Sequence, residues 1–294
     1  MNKIKFTFGA LAVLALLIIG CEKSDQILSS ADPASDPAVL AKGGGHRSSG
    51  QLLYAITGKK NRLIQFDSNE PGGIISKRRV TGLQSNERLL GIDFRPANGA
   101  LYGLGSSSRL YLIDPSTGAA TPVGGPFSTA LNGSAFGFDF NPTVDRIRVV
   151  SNTGQNLRLN PNDGTVAAVD AALVYAATDA NTGRTPSVAG AAYTNPDNDP
   201  ATGTTLYDID VRLDILVIQN PPNDGTLNTV GSLRRNAKRL LGFDIAASGV
   251  AYAAWADDDD NRLVTIDLTT GQVSKLGKID TGGGSITGLA APIP

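Results

Sequence analysis

The chain has 294 residues, enough for one large or two ordinary domains, and its 34 glycines, 16 prolines and 41% apolar content suit a turn-rich globular protein with a real core. Lys and Arg number 26 against 27 Asp and Glu, so a formal net charge of −1 gives no overall basic field for nucleic acid. The single cysteine and single histidine exclude further chemistry by where they stand.

In chain order, residues 1–20 read as an export signal. Lys3 and Lys5 form a basic start, and residues 6–19 are a run of 14 mostly apolar residues, short of the ~20 that a spanning helix needs. The run ends in Ile18, Ile19, Gly20 and Cys21, which resembles the lipobox of bacterial lipoproteins, where cleavage before the cysteine leaves a thiol to be diacylated. Lipidation is therefore expected at Cys21, with the membrane as first partner, because two or more acyl chains anchor stably where one is marginal. The plainer alternative is a secretory signal with an incidental cysteine. Glu22 in place of Asp favours, by resemblance to the sorting rule of enteric bacteria, the outer membrane of a Gram-negative envelope.

With Cys21 used as an anchor, no cysteine remains for disulfides or thiolate metal sites. Residues 21–50 are rich in Ser, Asp, Ala, Pro and Gly and read as a flexible tether, because so little apolar surface cannot offset the entropy of ordering. His46 lies in that tether, so Ser-His-Asp chemistry, histidine metal cages and histidine proton shuttles are excluded from the folded part.

From Gln51 to Pro294 the pattern is short alternating strands broken by Gly, Asn, Asp and Pro. A first strand recurs at Gly91, Gly137, Gly190, Gly242 and Gly288, with spacings of 46, 53, 52 and 46 residues, each about one propeller blade. A second strand carries Tyr54, Tyr102, Tyr207 and Tyr252, with Arg148 in the odd repeat, and a third ends in an Asx turn at Asp67, Asp114, Asn160, Asn220 and Asp267. Asx side chains and the following glycines supply the local hydrogen bond and the positive φ of tight turns. The first repeat lacks a first strand and the last first strand has nothing after it. The expected fold is thus all-β, a five-bladed β-propeller closed by the C-terminal strand pairing into the N-terminal blade. An open β-solenoid or two packed sheets is the alternative.

Residues 137–148 (GFDFNPTVDRIR), 154–161 (GQNLRLNP), 192–195 (AYTN), 205–210 (TLYDID) and 219–231 (QNPPNDGTLNTVG) resemble, in order, the bacterial family known as domain of unknown function 4394. The resemblance spans residues 51–291 and implies an exported, propeller-like domain. It implies no activity.

Asp93, Asp139 and Asp244 hold the same place in three first strands and are expected at the propeller axis. There they suit a cation such as Ca2+, or the acid and base of a hydrolase or lyase acting on saccharide or lactone. The structural alternative is that each accepts hydrogen bonds from a neighbouring blade's backbone. Arg148, with Arg158 in the adjacent strand and Asp139, Asp145 and Arg146 nearby, forms a charged group in strands that elsewhere are apolar. It is either an interblade salt-bridge network or a clamp for a carboxylate, a sulfate or a polar sugar. Removing Arg148 should cost stability in the first case and ligand capture in the second. Arg88 and Arg239 enter two blades at equivalent points, and with Lys59, Lys60, Arg62 and Arg109 they suggest a partner-docking face. The acidic run Asp257, Asp258, Asp259 and Asp260 and the loop with Asp197 and Asp199 are weaker Ca2+ candidates.

The function expected from these features is a membrane-anchored envelope lipoprotein, monomeric, whose propeller binds or scaffolds a glycan, peptide or protein without catalysis. The competing expectation is the carboxylate-dependent hydrolase or lyase at the axis.

Overall fold

A computed structural model describes residues 50–294 except Lys59, Asn198, Lys238, Arg239, Asp258 and Asp259; the side chains of Leu241 and Asp257 are also outside it. The expected export signal, Cys21, the expected tether with His46, and Arg239 therefore lie outside the described residues.

The described chain forms five sheets in a ring, antiparallel except for one short parallel strand in blade 4. Blade 1 contains β1 (Leu52–Thr57), β2 (Arg62–Asp67) and β3 (Glu70–Arg79). Blade 2 contains β4 (Leu89–Phe94), β5 (Leu101–Gly105), β6 (Arg109–Ile113) and β7 (Ala120–Val123). Blade 3 contains β8 (Phe136–Asn141), β9 (Arg146–Ser151), β10 (Asn156–Leu159) and β11 (Val166–Val169). The two-residue strand β12 (Val174–Tyr175) then crosses to blade 4 and pairs in parallel with its outer strand. Blade 4 contains β13 (Val188–Tyr193), β14 (Leu206–Asp210), β15 (Ile215–Gln219) and β16 (Thr226–Ser232). Blade 5 contains β17 (Leu240–Ile245), β18 (Ala251–Asp257), β19 (Asp260–Ile266) and β20 (Val273–Ile279). The last strand, β21 (Ile286–Ala290), pairs with β1 and becomes the inner strand of blade 1, giving the order β21-β1-β2-β3. The five-bladed ring is closed as expected, and closure pairs the edge that β1 would otherwise expose.

The inner strands pack side by side around the axis because each carries glycine at one shared level: Gly91, Gly137, Gly190, Gly242 and Gly288. A Cβ on Gly137 would lie 2.6 Å from the Ala191 nitrogen, and one on Gly242 would lie 2.7 Å from that of Leu289. Side chains there would force the ring open. Their absence narrows the axis to a space of about 20 Å³.

The core is divided into five apolar clusters, each shared by neighbouring blades. The second-strand tyrosines reach across these joints. Tyr54 meets Phe94 and Tyr102 meets Phe140 edge-on, each with ring centroids 5.2 Å apart. The joint between blades 3 and 4 differs: the strands of blade 3 contribute only Val150 to its cluster. Blade 3 fills the rest of that face with polar side chains.

Candidate functional site

At the axis, Asp93, Asp139 and Asp244 sit two residues beyond the glycine belt and are 6%, 3% and 5% exposed. The residue that follows this level in each inner strand presents a backbone N–H that no ladder partner uses. Three carboxylates satisfy all five. Asp93 accepts from Phe94 and Phe140, each at 2.7 Å; Asp139 accepts from Tyr193 at 2.9 Å; Asp244 accepts from Ile245 and Ala291, each at 2.6 Å. Blades 4 and 1 carry Ala192 and Ala290 at the aspartate level, so the amides they leave unserved, Ile245 and Phe94, are taken by the aspartate of their own strand. Hydrogen bonding with the Asp139 side chain also holds the Asp244 carboxyl down.

Burial raises all three carboxyls above the usual range, Asp244 to about 6, and the charge of Asp244 lifts Asp93 further as those of Asp93 and Asp244 lift Asp139. The trio therefore holds protons to a higher pH than free carboxyls do, Asp244 up to about 6. One oxygen from each lies within 4.8 Å of the others, close enough to hold one metal ion. The surrounding space is about 10 Å³, near the size of a single water. The carboxylates converge, and as in the structural alternative they are buried and bonded to inner-strand amides, in a space too small for a saccharide or lactone.

The other constellation lies in the joint between blades 3 and 4. Arg148 occupies the register position held by tyrosine in the other four blades and faces Arg158 directly across the β9–β10 pair. Two guanidiniums side by side need an anion between them, and Asp170, just after β11, supplies it. Its carboxylate accepts from Arg148 Nη1 at 2.6 Å and from Arg158 Nε and Nη2 at 2.7 and 3.0 Å. Arg148 is 2% exposed and also donates to Asn156 at 2.7 Å, Asn223 at 2.8 Å and the Tyr193 hydroxyl at 3.4 Å. It thus ties blade 3 to blade 4.

Beside this network is a cavity of about 420 Å³ lined by Arg146, Arg148, Arg158, Asn141, Tyr193 and Asn223, with Val144, Ile147 and Pro222 as its apolar wall. Its volume falls in the range of small-molecule sites. The turn between β8 and β9 delivers Arg146: Asn141 Oδ1 accepts the Thr143 and Val144 amides, and Asp145 turns the chain at φ 49°. Facing it, the cis Asn220–Pro221 bond and the 3-10 turn Pro222–Asp224 present Asn223.

The structure brings together Arg146, Arg148 and Arg158 and separates the rest of the expected group. Asp139 pairs in register with Arg148 but points to the axis, and Asp145 pairs with Arg95 of blade 2, whose Nε donates at 2.8 Å. Arg88 is exposed on blade 2, away from the cavity, next to a buried Glu87 that hydrogen bonds to Gln84, Ser107 and Tyr111 hold below its usual pKa despite burial. In the acidic run, Asp260 binds Lys278 at 2.6 Å, and Asp197 and Asp199 accept bonds within their own loop. Asp170, Asn156, Tyr193 and Asn223 were not anticipated. The signal for Asp170 was available in principle, since two inward arginines in register demand a carboxylate.

One buried group belongs to neither constellation. Asp208 of β14 is fully buried, neither carboxylate oxygen has a partner, and burial raises its pKa to about 8 against the opposing pull of Arg148.

Fold and constellations together define a five-bladed propeller with a closed axis and a polar cavity in one joint. The chain belongs to the family described as Domain of unknown function (DUF4394), whose model matches residues 62–290. Among solved structures it is similar to glutaminyl cyclase from Myxococcus xanthus, at 13% identity and a TM-score of 0.50, over 79% of this chain and 91% of that one. It is also similar to virginiamycin B lyase from Staphylococcus aureus, at 11% identity and a TM-score of 0.43, over 76% and 69%. At 13% identity the likeness to the cyclase is one of fold alone. No curated protein matches the sequence.

Proposed function

We propose that this protein is an exported, lipid-anchored module of the cell envelope whose propeller binds a ligand in the cavity between blades 3 and 4 and performs no chemistry on it. The observation that carries this reading is the arginine-lined cavity of about 420 Å³ in the one joint where the repeat is broken. Binding residues are disproportionately placed by a rigid scaffold at such departures from a repeated framework. Anchoring rests on Cys21 and the preceding apolar run, and Glu22 after the cysteine favours the outer membrane if the envelope is Gram-negative.

The reading is tested with the full mature chain titrated calorimetrically with acidic and neutral envelope saccharides and short peptides. Val144→Trp, which places an indole at the cavity mouth, is the control. Binding that disappears in the variant is the expected result; binding that survives it moves the site elsewhere and overturns the reading. Anchoring is tested by palmitate labelling, which Cys21→Ser should abolish while releasing the protein from membranes.

A further inference from the structure

Resting on the reading that this cavity is a binding site, we infer that its ligand is a ring-sized organic carboxylate, such as a uronate, and not a neutral polyol. The argument is an inventory of hydrogen-bonding capacity. A sugar hydroxyl donates as well as accepts, so a site for neutral saccharide needs open acceptors; an oxyanion needs donors only.

Each side-chain acceptor here already takes at least one hydrogen bond, the Tyr193 hydroxyl from Arg148 included. Asn141 Oδ1 accepts two amides of its own turn, Asn223 Oδ1 accepts from Arg148, and both oxygens of Asp170 are held by Arg148 and Arg158. Several donors remain open. Arg146 spends only Nη1, on the carbonyl of Asp145, leaving Nε and Nη2 open. Arg158 spends Nε and Nη2 on Asp170 and keeps Nη1 open, and the Asn223 amide nitrogen is also open.

Charge points the same way. Three guanidiniums line the cavity and one carboxylate, Asp170, is bonded to two of them, with Asp163 offsetting part of the charge of Arg146 from outside. The net field is positive. A bare ion would leave most of the 420 Å³ unfilled, whereas the apolar wall of Val144, Ile147 and Pro222 offers packing for the C–H face of a ring. Arginine is also the side chain whose planar fork matches a carboxylate.

The test uses the full mature chain at fixed ionic strength, titrated with sodium glucuronate, glucose and sodium acetate. Saturable heat with glucuronate is expected, with glucose and acetate each weaker by at least about tenfold. Arg146→Gln and Arg158→Gln should each weaken glucuronate by a similar factor. Arg146→Gln is the variant least able to disturb the fold, since Arg146 makes one bond to its own turn. Glucose binding as well as glucuronate, no saturable heat with glucuronate, or glucuronate binding unchanged in both variants overturns the inference. If a neutral ligand binds and is lost in Val144→Trp, only the carboxylate assignment has failed. If all binding survives Val144→Trp, the cavity itself is the wrong site.

Discussion

The axis and the joint between blades 3 and 4 lie on either side of one residue, Tyr193, whose amide donates to Asp139 and whose hydroxyl accepts from Arg148. They bury charge in different ways. At the axis, three carboxyls with raised pKa values share five backbone amides, a closed arrangement that leaves space for about one water. In the joint, three arginines face a single carboxylate, which pairs with two of them, and a cavity remains open. Polar groups that recur with the repeat therefore complete the fold. Polar groups that break it leave donors over, and those are available to a ligand.

The strongest way to break this contrast is to remove Arg148. It carries hydrogen bonds to four residues at 2% exposure, so Arg148→Ala should cost about 3–5 kcal/mol, the usual range for removing one partner of a buried pair. The lower end is expected because Arg158 still holds Asp170. Urea denaturation measures it. A loss below about 1 kcal/mol would show that the network does not brace the joint. The structure thus gives Arg148 a bracing role and leaves Arg146 and Arg158 with the open donors.

At the axis the counterpart is Asp93→Ala, which strands the amides of Phe94 and Phe140. Each orphaned buried donor costs roughly 1–3 kcal/mol, and relief of repulsion among the carboxyls offsets part, so a net loss of about 2 kcal/mol is expected. Hydrogen exchange at those two amides should rise well before global unfolding. Unchanged protection there would mean that the carboxylates do not hold the ring.

Asp208 supplies a pH test beside the joint. Its pKa rises from the ordinary carboxylate range in the unfolded chain to about 8 in the fold, so the folded state holds the extra proton between those values. Stability is then full near pH 4 and declines as pH climbs toward 8. Asp208→Asn, which mimics the protonated form, should match the parent near pH 4 and exceed it at pH 8 by on the order of 1–2 kcal/mol after relaxation and water entry are allowed for. Parallel denaturation curves at both pH values check this; an equal gap at both would show that Asp208 is ionised throughout.

Much of the ring was legible in the sequence because its signals are local. Gly91 through Gly288, the tyrosines of the second strands and the Asx turns each act within a few residues, and the missing first strand at Leu52 required β21 to return. The exceptional place of Arg148 was legible for the same reason. Its partners were not: Asp170 is 22 residues away and Asn223 is 75. Nor does period-2 alternation say that Asp139, opposite Arg148 in register, turns to the axis while the arginine turns to the next blade. The sharing of three carboxyls among five amides depends on blades 1 and 4 carrying alanine, a property of the closed ring and not of any one repeat.

Arg146→Gln should have the smallest effect on stability and the clearest effect on function. Its guanidinium is half-buried and makes one hydrogen bond, to the carbonyl of Asp145, so the change should move stability by less than about 0.5 kcal/mol. Loss of a charge-assisted bond to a carboxylate ligand is worth roughly 1.5–3 kcal/mol, or more than about tenfold in affinity. The two numbers separate cleanly when denaturation and calorimetry are run on the same preparation. A variant that melts like the parent and no longer binds assigns Arg146 to the ligand. A variant that binds like the parent would mean that the open donors of the joint face only solvent, and the difference between axis and joint would then be one of packing alone.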